Sequence, residues 1–469
     1  MDKELLYLQI AKDIEHQIRT GLLKTGDKLP SIRTIRQERG VSMSTATQAY
    51  IELESRGFIE SKPQSGFFVT YTKRVLQSPT TTEPVSVHGM EEIEDIIETV
   101  YNNRKKCDTI LSMGTPSIEL LPVAKLNKSV VSALRSLPDS GIGYDLRGNY
   151  KLKELIAQRA MMWGGKIDAS EIITTAGCMD AIAFSLLSLT KAGDTIIVES
   201  PVYYGILQLA KNIGLKVLEL PTNSITGIEP DALKKVLKSK KISLCILVSN
   251  YNNPYGSCMP DENKKTVVKL LEHYGVPLVE DDEYGEFHFG NKRPSNCKTF
   301  DESGNVIWCG SFSKTLAPGY RVGWVSAGKF HEKISRTKSY HSLACNSLAQ
   351  EAIANFIENS RYDHHLRNLR RTLYNHSLQF LRCITEYFPE DIKVSSPEGG
   401  FILWVEMGKK RNALELYDKA VRKKISIAPG RMYTLQNQYN DCFKLSFGMP
   451  WSPKIEQGLK TLGKLIHEL

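Results

Sequence analysis

Lys314 sits in S-F-S-K-T-L-A-P-G-Y-R-V-G-W, the stretch from Ser311 to Trp324, with serines at 311 and 313 and Arg321 seven residues on across a Pro-Gly turn. These residue types at this spacing suit one chemistry. A lysine ε-amine forms an imine with an aldehyde, while small hydroxyls and a guanidinium fork converge on the edge of a phosphate. A pyridoxal phosphate (PLP) Schiff-base site requires both. Lys314 is therefore the candidate catalytic residue, and Ser311, Ser313 and Arg321 are candidate phosphate ligands. Taken alone, the run fits a surface loop with a solvated lysine equally well.

Upstream residues supply the rest of such a site. Asn253 precedes Pro254 in S-N-Y-N-N-P-Y-G, just after the apolar run Ile242 to Val248, so a strand is expected to end there and deliver a polar side chain at its carboxyl end. Twenty-eight residues later V-P-L-V-E-D-D-E-Y is a second strand ending in acids. Asp281 is placed to sit under a ring nitrogen, where a carboxylate keeps a pyridinium protonated. Tyr284, three further on, is placed to bond the ring hydroxyl beside Asn253. Lys314 follows thirty-three residues after Asp281, behind a third apolar run, Val306 to Cys309.

Asn-Pro, Asp-x-x-Tyr and Ser-x-Ser-Lys with Arg at plus seven resemble the fold type I aminotransferases, over roughly residues 108 to 469. The resemblance implies further PLP contacts. Backbone amides of Cys178 and Met179 in T-A-G-C-M-D-A-I would meet the phosphate at a helix N-terminus. Tyr203 in S-P-V-Y-Y-G would stack on the pyridine ring. Tyr144 in G-Y-D-L-R-G is similar to the tyrosine that reaches the phosphate from a partner subunit.

The elements that must position these residues follow from periodicity. Short apolar runs at Ile172 to Thr174, Thr195 to Val198, Lys216 to Leu220, Ser243 to Val248 and Leu278 to Glu280 alternate with helical segments. A mostly parallel sheet flanked by helices is the implied architecture. A smaller C-terminal lobe is expected from about Asn346. Its charged R-Y-D-H-H-L-R-N-L-R-R helix is best taken as a solvated face.

The first seventy residues have a different pattern. Tyr7, Ile10, Ala11, Ile14 and Ile18 recur at helical spacing up to Gly21. Ser31 caps a short helix that Gly40 closes, and Ser42 caps a third, with Ala46, Ala49, Tyr50 and Leu53 inward. F-I-E-S and F-F-V-T-Y then form two short strands around a turn containing Gly66. Three helices and a β-ribbon make a winged helix-turn-helix. G-D-K-L-P-S-x-R, V-S-x-x-T and Q-S-G-F-x-V resemble the GntR superfamily of bacterial repressors over residues 5 to 71. That likeness implies that the third helix enters the major groove and the wing, with Gly66, meets backbone or minor groove. Arg33, Ser42, Ser44 and Thr45 would hold phosphates, with Thr47 and Gln48 nearest the bases. Met43 and Thr47 stand where relatives often carry arginines, which disfavours guanine recognition from this helix.

Composition sets bounds. The 469 residues exceed one ordinary core. The expected division is 1–71 for the winged head, 72–89 for a polar, proline-bearing linker and 90–469 for the PLP domain. No apolar run is long enough to span a bilayer, and the acidic start M-D-K-E-L-L does not suit an export signal. Nine cysteines without metal-ligand spacing fit a reducing cytoplasm and no metal. Net charge is +9, yet residues 1–70 carry ten Lys/Arg against nine Asp/Glu, so DNA binding depends on the cluster Lys24, Lys28, Arg33, Arg36 and Arg39.

A GntR-like head on a fold type I aminotransferase-like domain with a smaller C-terminal lobe is the layout of the MocR-type transcriptional regulators. The resemblance implies a cytoplasmic homodimer that binds operator DNA and senses an amino-compound effector, or PLP itself, through the Lys314 aldimine. In C-F-K-L-S-F-G, Lys444 occupies the position where aminotransferases carry the arginine that grips a substrate carboxylate. A lysine is a point charge and cannot make the two parallel bonds of a guanidinium. Lys444 is thus a candidate effector contact, with Arg431 in P-G-R-M-Y as its substitute. The alternatives are an active aminotransferase with a DNA-binding head, and a head whose PLP domain only dimerises.

Overall fold

The computed structural model describes residues 6–20, 22–62, 65–70, 76–81 and 90–469. The chain divides into two compact units, Met1–Leu76 with Leu378–Tyr387, and Gln77–Ser377 with Phe388–Leu469. Gly21, and all of the expected linker except 76–81, lie outside the described residues.

In the first unit, α1 (Leu6–Thr20), α2 (Ile32–Arg39) and α3 (Met43–Ser55) precede the antiparallel strands β1 (Ile59–Lys62) and β2 (Gly66–Val69), with Ile59 opposite Val69 and Lys62 opposite Gly66. Local chemistry sets these boundaries. Ser31 accepts from the Thr34 amide at 3.2 Å, Gly40 closes α2, and Ser42 accepts from the Thr45 amide at 3.1 Å. Ala46, Ala49, Tyr50 and Leu53 all face inward and pack with Ile10, Ile14, Ile18 and Val69. The Tyr50 hydroxyl donates to the Pro30 carbonyl at 2.7 Å, which satisfies the one polar group in that core.

The second unit is built on an eight-stranded sheet, in the order Ile172–Thr175, Gly323–Ser326, Val306–Ser311, Leu278–Asp281, Leu244–Leu247, Thr195–Ser200, Lys216–Asn223, Gly227–Ile228. From Val306–Ser311 to Lys216–Asn223 neighbours are parallel, so their carboxyl ends share one edge. Every strand expected from the apolar runs is present. Two were not foreseen: the short Gly227–Ile228, antiparallel to Lys216–Asn223 at one edge, and Gly323–Ser326, which lies antiparallel between Val306–Ser311 and Ile172–Thr175, with Ser311 opposite Gly323. The stretch from Ser311 to Trp324 is therefore a loop between paired strands, which is why Lys314 and Arg321 come back to one place.

A four-stranded sheet of Lys393–Val394, Ile402–Glu406, Cys442–Ser446 and Ala428–Pro429 forms the C-terminal lobe. The lobe begins later than expected. Ala349, Ile353, Phe356, Tyr362 and Leu366 pack into the same core as Leu152, Trp308 and Phe312, so the helix Ser347–Glu358 belongs with the large sheet. In the charged helix Arg361–Tyr387, Arg367, Asn368 and Arg371 are exposed while Tyr362, Leu366 and Leu369 are buried, as a solvated face requires.

Residues 77–81 are fastened within this unit. Thr80 donates from its amide and its hydroxyl to Glu406 at 2.7 and 3.0 Å, and Lys393 donates to both Thr80 and Glu406. Tyr255 donates to the Thr80 carbonyl at 3.3 Å and Ser224 to that of Pro79. None of the nine cysteines forms a disulfide. Among the described residues, no helix is long and apolar enough to cross a membrane and no side-chain cluster suits a metal ion.

Candidate functional site

Four segments that are far apart in sequence meet at the carboxyl edge of the large sheet. Asn253 follows Leu244–Leu247, Asp281 ends its own strand, and Lys314 follows Val306–Ser311, whose Cys309 stands opposite Asp281. The fourth is the N-terminus of the helix Cys178–Leu189, which has no side-chain cap. A cavity of about 190 Å³ is lined by Lys314, Asn253, Asp281, Tyr284, Tyr203, Ser313, Arg321, Cys178 and Met179, together with Val248 and Glu283. Nine of the eleven expected cofactor residues are in that wall.

The end of the cavity at the helix N-terminus is tightly built. Arg321 donates to the Ala176 carbonyl at 2.7 Å and to the Ser313 hydroxyl at 3.1 Å. Its own backbone is left-handed, φ 52°, a conformation that costs a non-glycine residue on the order of 1 kcal/mol. Gly177 has φ 106°, and a Cβ there would lie 2.4 Å from the guanidinium. A side chain at 177 would fill the cradle between the helix N-terminus and Arg321.

The acidic end holds Asp281, 6% exposed. Its Oδ1 accepts from the Cys178 thiol at 3.3 Å and the Glu283 amide at 3.2 Å. Burial, and then the nearby Glu283 carboxylate, push its carboxyl up to about 7. Asn253 donates to the Tyr284 hydroxyl at 3.2 Å, while its buried Oδ1 has no hydrogen-bond partner. Glu283 went unnoticed in the sequence. It accepts from the Ser311 hydroxyl and brings Oε2 to 3.8 Å from Lys314 Nζ. The fourth acid in E-D-D-E-Y was the available signal.

A second cavity of about 140 Å³ shares Tyr203, Asn253 and Lys314 with the first, and adds Tyr101, Arg104, Tyr204, Tyr433 and Lys444. Lys444 lies in Cys442–Ser446 and is 2% exposed. Burial, and then the charge of Lys314, pull its ammonium down to about 7.

Three expected residues lie elsewhere. Ser311 is not in the cofactor cavity: its hydroxyl is turned to Glu283 and its Oγ accepts from the Ser313 amide, so it faces a separate small cavity with Trp308 and Trp324. Arg431 lines neither of these two cavities. It is 2% exposed and clamps the Thr434 and Gln436 carbonyls at 3.1 and 2.6 Å, so it cannot substitute for Lys444. Tyr144 is 81% exposed and lines neither of these two cavities.

In the winged head, Arg33, Ser42, Ser44 and Gln48 are exposed, and Gly66 is exposed at the start of β2. Ser42 bonds the Ser44 and Thr45 hydroxyls at 2.7 and 2.8 Å, making one hydroxyl cluster at the α3 N-terminus. Thr47 spends its proton on the Met43 carbonyl at 2.8 Å, which leaves it an acceptor only. Arg39 is paired with Asp13 at 2.9 Å and drops out of the basic cluster, whereas Lys62 lies over the Phe68 ring on the wing.

The profile of the gntR family of bacterial regulatory proteins matches residues 6–69, and that of the class I and II aminotransferases matches residues 111–459. The chain is 35% identical over 467 residues to the HTH-type transcriptional regulator YjiR of Escherichia coli K12, covering 98% of both chains. Among solved structures it is similar to a multiple substrate aminotransferase from Thermococcus profundus, with TM-score 0.74 and 26% identity over 81% of this chain and 95% of that one. It is equally similar to the Pyrococcus horikoshii kynurenine aminotransferase in complex with PMP, at 25% identity and TM-score 0.74, over 81% of this chain and 95% of that one.

Proposed function

From a chain that belongs to the MocR-type transcriptional regulators, a GntR head joined to a class I/II aminotransferase domain, we propose a regulator that holds PLP at Lys314 and senses an amino compound, or PLP itself, there. The observation that carries this reading is the single cavity into which nine of the expected cofactor residues converge. Bound PLP supplies an aldehyde that condenses with a primary amine and a ring that withdraws electrons. Lys314 offers the amine. Ser313, Arg321 and the Cys178 and Met179 amides would hold the phosphate. Asp281, already poised to keep or give up a proton near pH 7, would pair with the ring nitrogen, and Asn253 and Tyr284 would bond the ring hydroxyl. Tyr203 would cover a ring face.

Two features favour a sensor over the alternative, a working aminotransferase with a DNA-binding head. Lys444 presents one charge where a guanidinium fork would orient a substrate. Glu283 lies 3.8 Å from the Lys314 ammonium and would favour its protonated form, which disfavours its use as a base. PLP-saturated protein is expected to show a visible absorbance band that Lys314→Ala abolishes. A colourless protein after saturation, or an unchanged band in the variant, would defeat the reading.

A homodimer is part of this proposal. Ile142, Tyr144, Leu146 and Tyr150 are exposed at 90%, 81%, 60% and 60%, and Val131 and Leu134 are exposed on the helix Val123–Ser136. So many bare apolar groups favour cover by a second copy, which would place Tyr144 to serve its partner's cavity. Operator binding through the head carries its own test. Arg33→Ala should weaken binding to all sequences and flatten the dependence of log affinity on log salt by about one. Unchanged binding in a salt titration by fluorescence anisotropy removes Arg33 from the contacts.

A further inference from the structure

We propose that the cavity beside Lys314 is built for an amino compound bearing two anionic groups, one taken by Lys444 and the other by Arg104. The inference rests on the sensor reading and names the class of its effector.

The wall of this cavity contains three cationic side chains, Lys314, Lys444 and Arg104, and no acid. Asp281 and Glu283 belong to the adjoining cavity, where Cys178, Ser311 and Lys314 occupy them. Lys444 is buried with a single polar contact, the Met113 carbonyl at 3.5 Å, and otherwise lies over the Tyr433 ring at 5.6 Å. A buried ammonium without a counter-charge is costly, and an anion arriving beside it removes that cost. The depression of Lys444 has the same origin in burial.

Arg104 ends the helix Met90–Arg104 and, among the described residues, makes no ion pair. Its guanidinium lies over the Tyr101 ring at 5.5 Å, and the Tyr101 hydroxyl is bonded to that of Tyr204 at 2.7 Å. The fork is thus held in place before any ligand arrives. A third group points the same way: the Tyr433 hydroxyl is fully buried in this wall and has no hydrogen-bond partner. One carboxylate can satisfy Lys444 and Tyr433, but it leaves Arg104 unmatched. A second acid group at the far end of a short chain satisfies all three, with the tyrosine rings covering the methylenes between.

The test titrates full-length, PLP-loaded protein with L-glutamate and L-2-aminoadipate, and with the monoanionic L-glutamine and L-norleucine, following the visible band. The diacids should bind at least tenfold more tightly than the others. Arg104→Gln should bring the diacids down to the level of glutamine while leaving glutamine itself unchanged, and Arg104→Lys should restore part of the difference. Equal affinities in the parent protein, a preference that survives Arg104→Gln, or no response to either diacid overturns the proposal. Should the protein not take up PLP, the sensor reading fails separately. Glutarate, which has no amine, then decides on the cation pair in the cofactor-free protein: a raised unfolding temperature in the parent and not in Arg104→Gln supports it, and no shift in either sinks it.

Discussion

Gly323→Ala should unfold or badly weaken the large sheet, by about 3 kcal/mol or more, and release PLP with it. A Cβ at 323 would stand 2.6 Å from the Gly177 carbonyl carbon, 2.7 Å from its Cα and 2.8 Å from the Gly310 oxygen. All three are backbone atoms in or beside the neighbouring strands, so no side chain can swing aside. Gly323 pairs with Ser311 on one side and Thr175 on the other. Prising these strands apart therefore displaces both walls of the phosphate cradle. The measurement is convenient because all five tryptophans lie at 163 or beyond. Tryptophan fluorescence in a urea titration follows the second unit alone. An unchanged midpoint together with unchanged PLP uptake would show that the strands yield more easily than this.

Anion binding at Lys444 should weaken as pH rises above 7. The ammonium is held down to about 7 by burial and by Lys314, and a bound carboxylate favours its protonated form. Binding therefore takes up a proton above that pH, and affinity for glutarate falls by up to tenfold per pH unit, about a hundredfold from pH 7 to 9. Asp281, pushed up to about 7 by burial and Glu283, ionises over the same range and repels the anion in the same sense. Lys444→Arg keeps its charge, so only the share of Asp281 should survive in that variant. A flat profile in the parent protein, or an equal slope in both, would contradict this.

The same two groups give the ligand-free protein a stability that bends with pH. Asp281 titrates at 3.8 when unfolded and near 7 when folded, so the native state holds the extra proton and stability falls as pH rises between them. Lys444 titrates at 10.5 when unfolded and near 7 when folded, so the unfolded state holds the extra proton and stability rises between 7 and 10.5. Their joint contribution is least favourable near neutrality.

Much of the site was legible because it is made of residues at strand ends, where an apolar run followed by a polar residue marks both the element and the edge. Asn253, Asp281 and Lys314 were found in that way. The caps Ser31 and Ser42 were legible for a similar reason, since a hydroxyl beside a helical period has few other uses. Ser311 was misjudged because a linear motif does not say which of two serines turns toward the ligand once the chain leaves its strand. The answer depended on Glu283, an acid on another strand's exit. Arg431 was misjudged because a guanidinium satisfies backbone carbonyls as readily as a carboxylate. The strand Gly323–Ser326 was hidden by its length, four residues of which the first two close a motif already assigned to a turn.

Thr80 is stitched to both sides of a seam. Its carbonyl accepts a hydrogen bond from Tyr255, two residues past Asn253, and its amide and hydroxyl donate to Glu406 on the sheet that also bears Lys444. Any motion that slides one margin past the other must either break one of these bonds or carry Thr80 away from the other side.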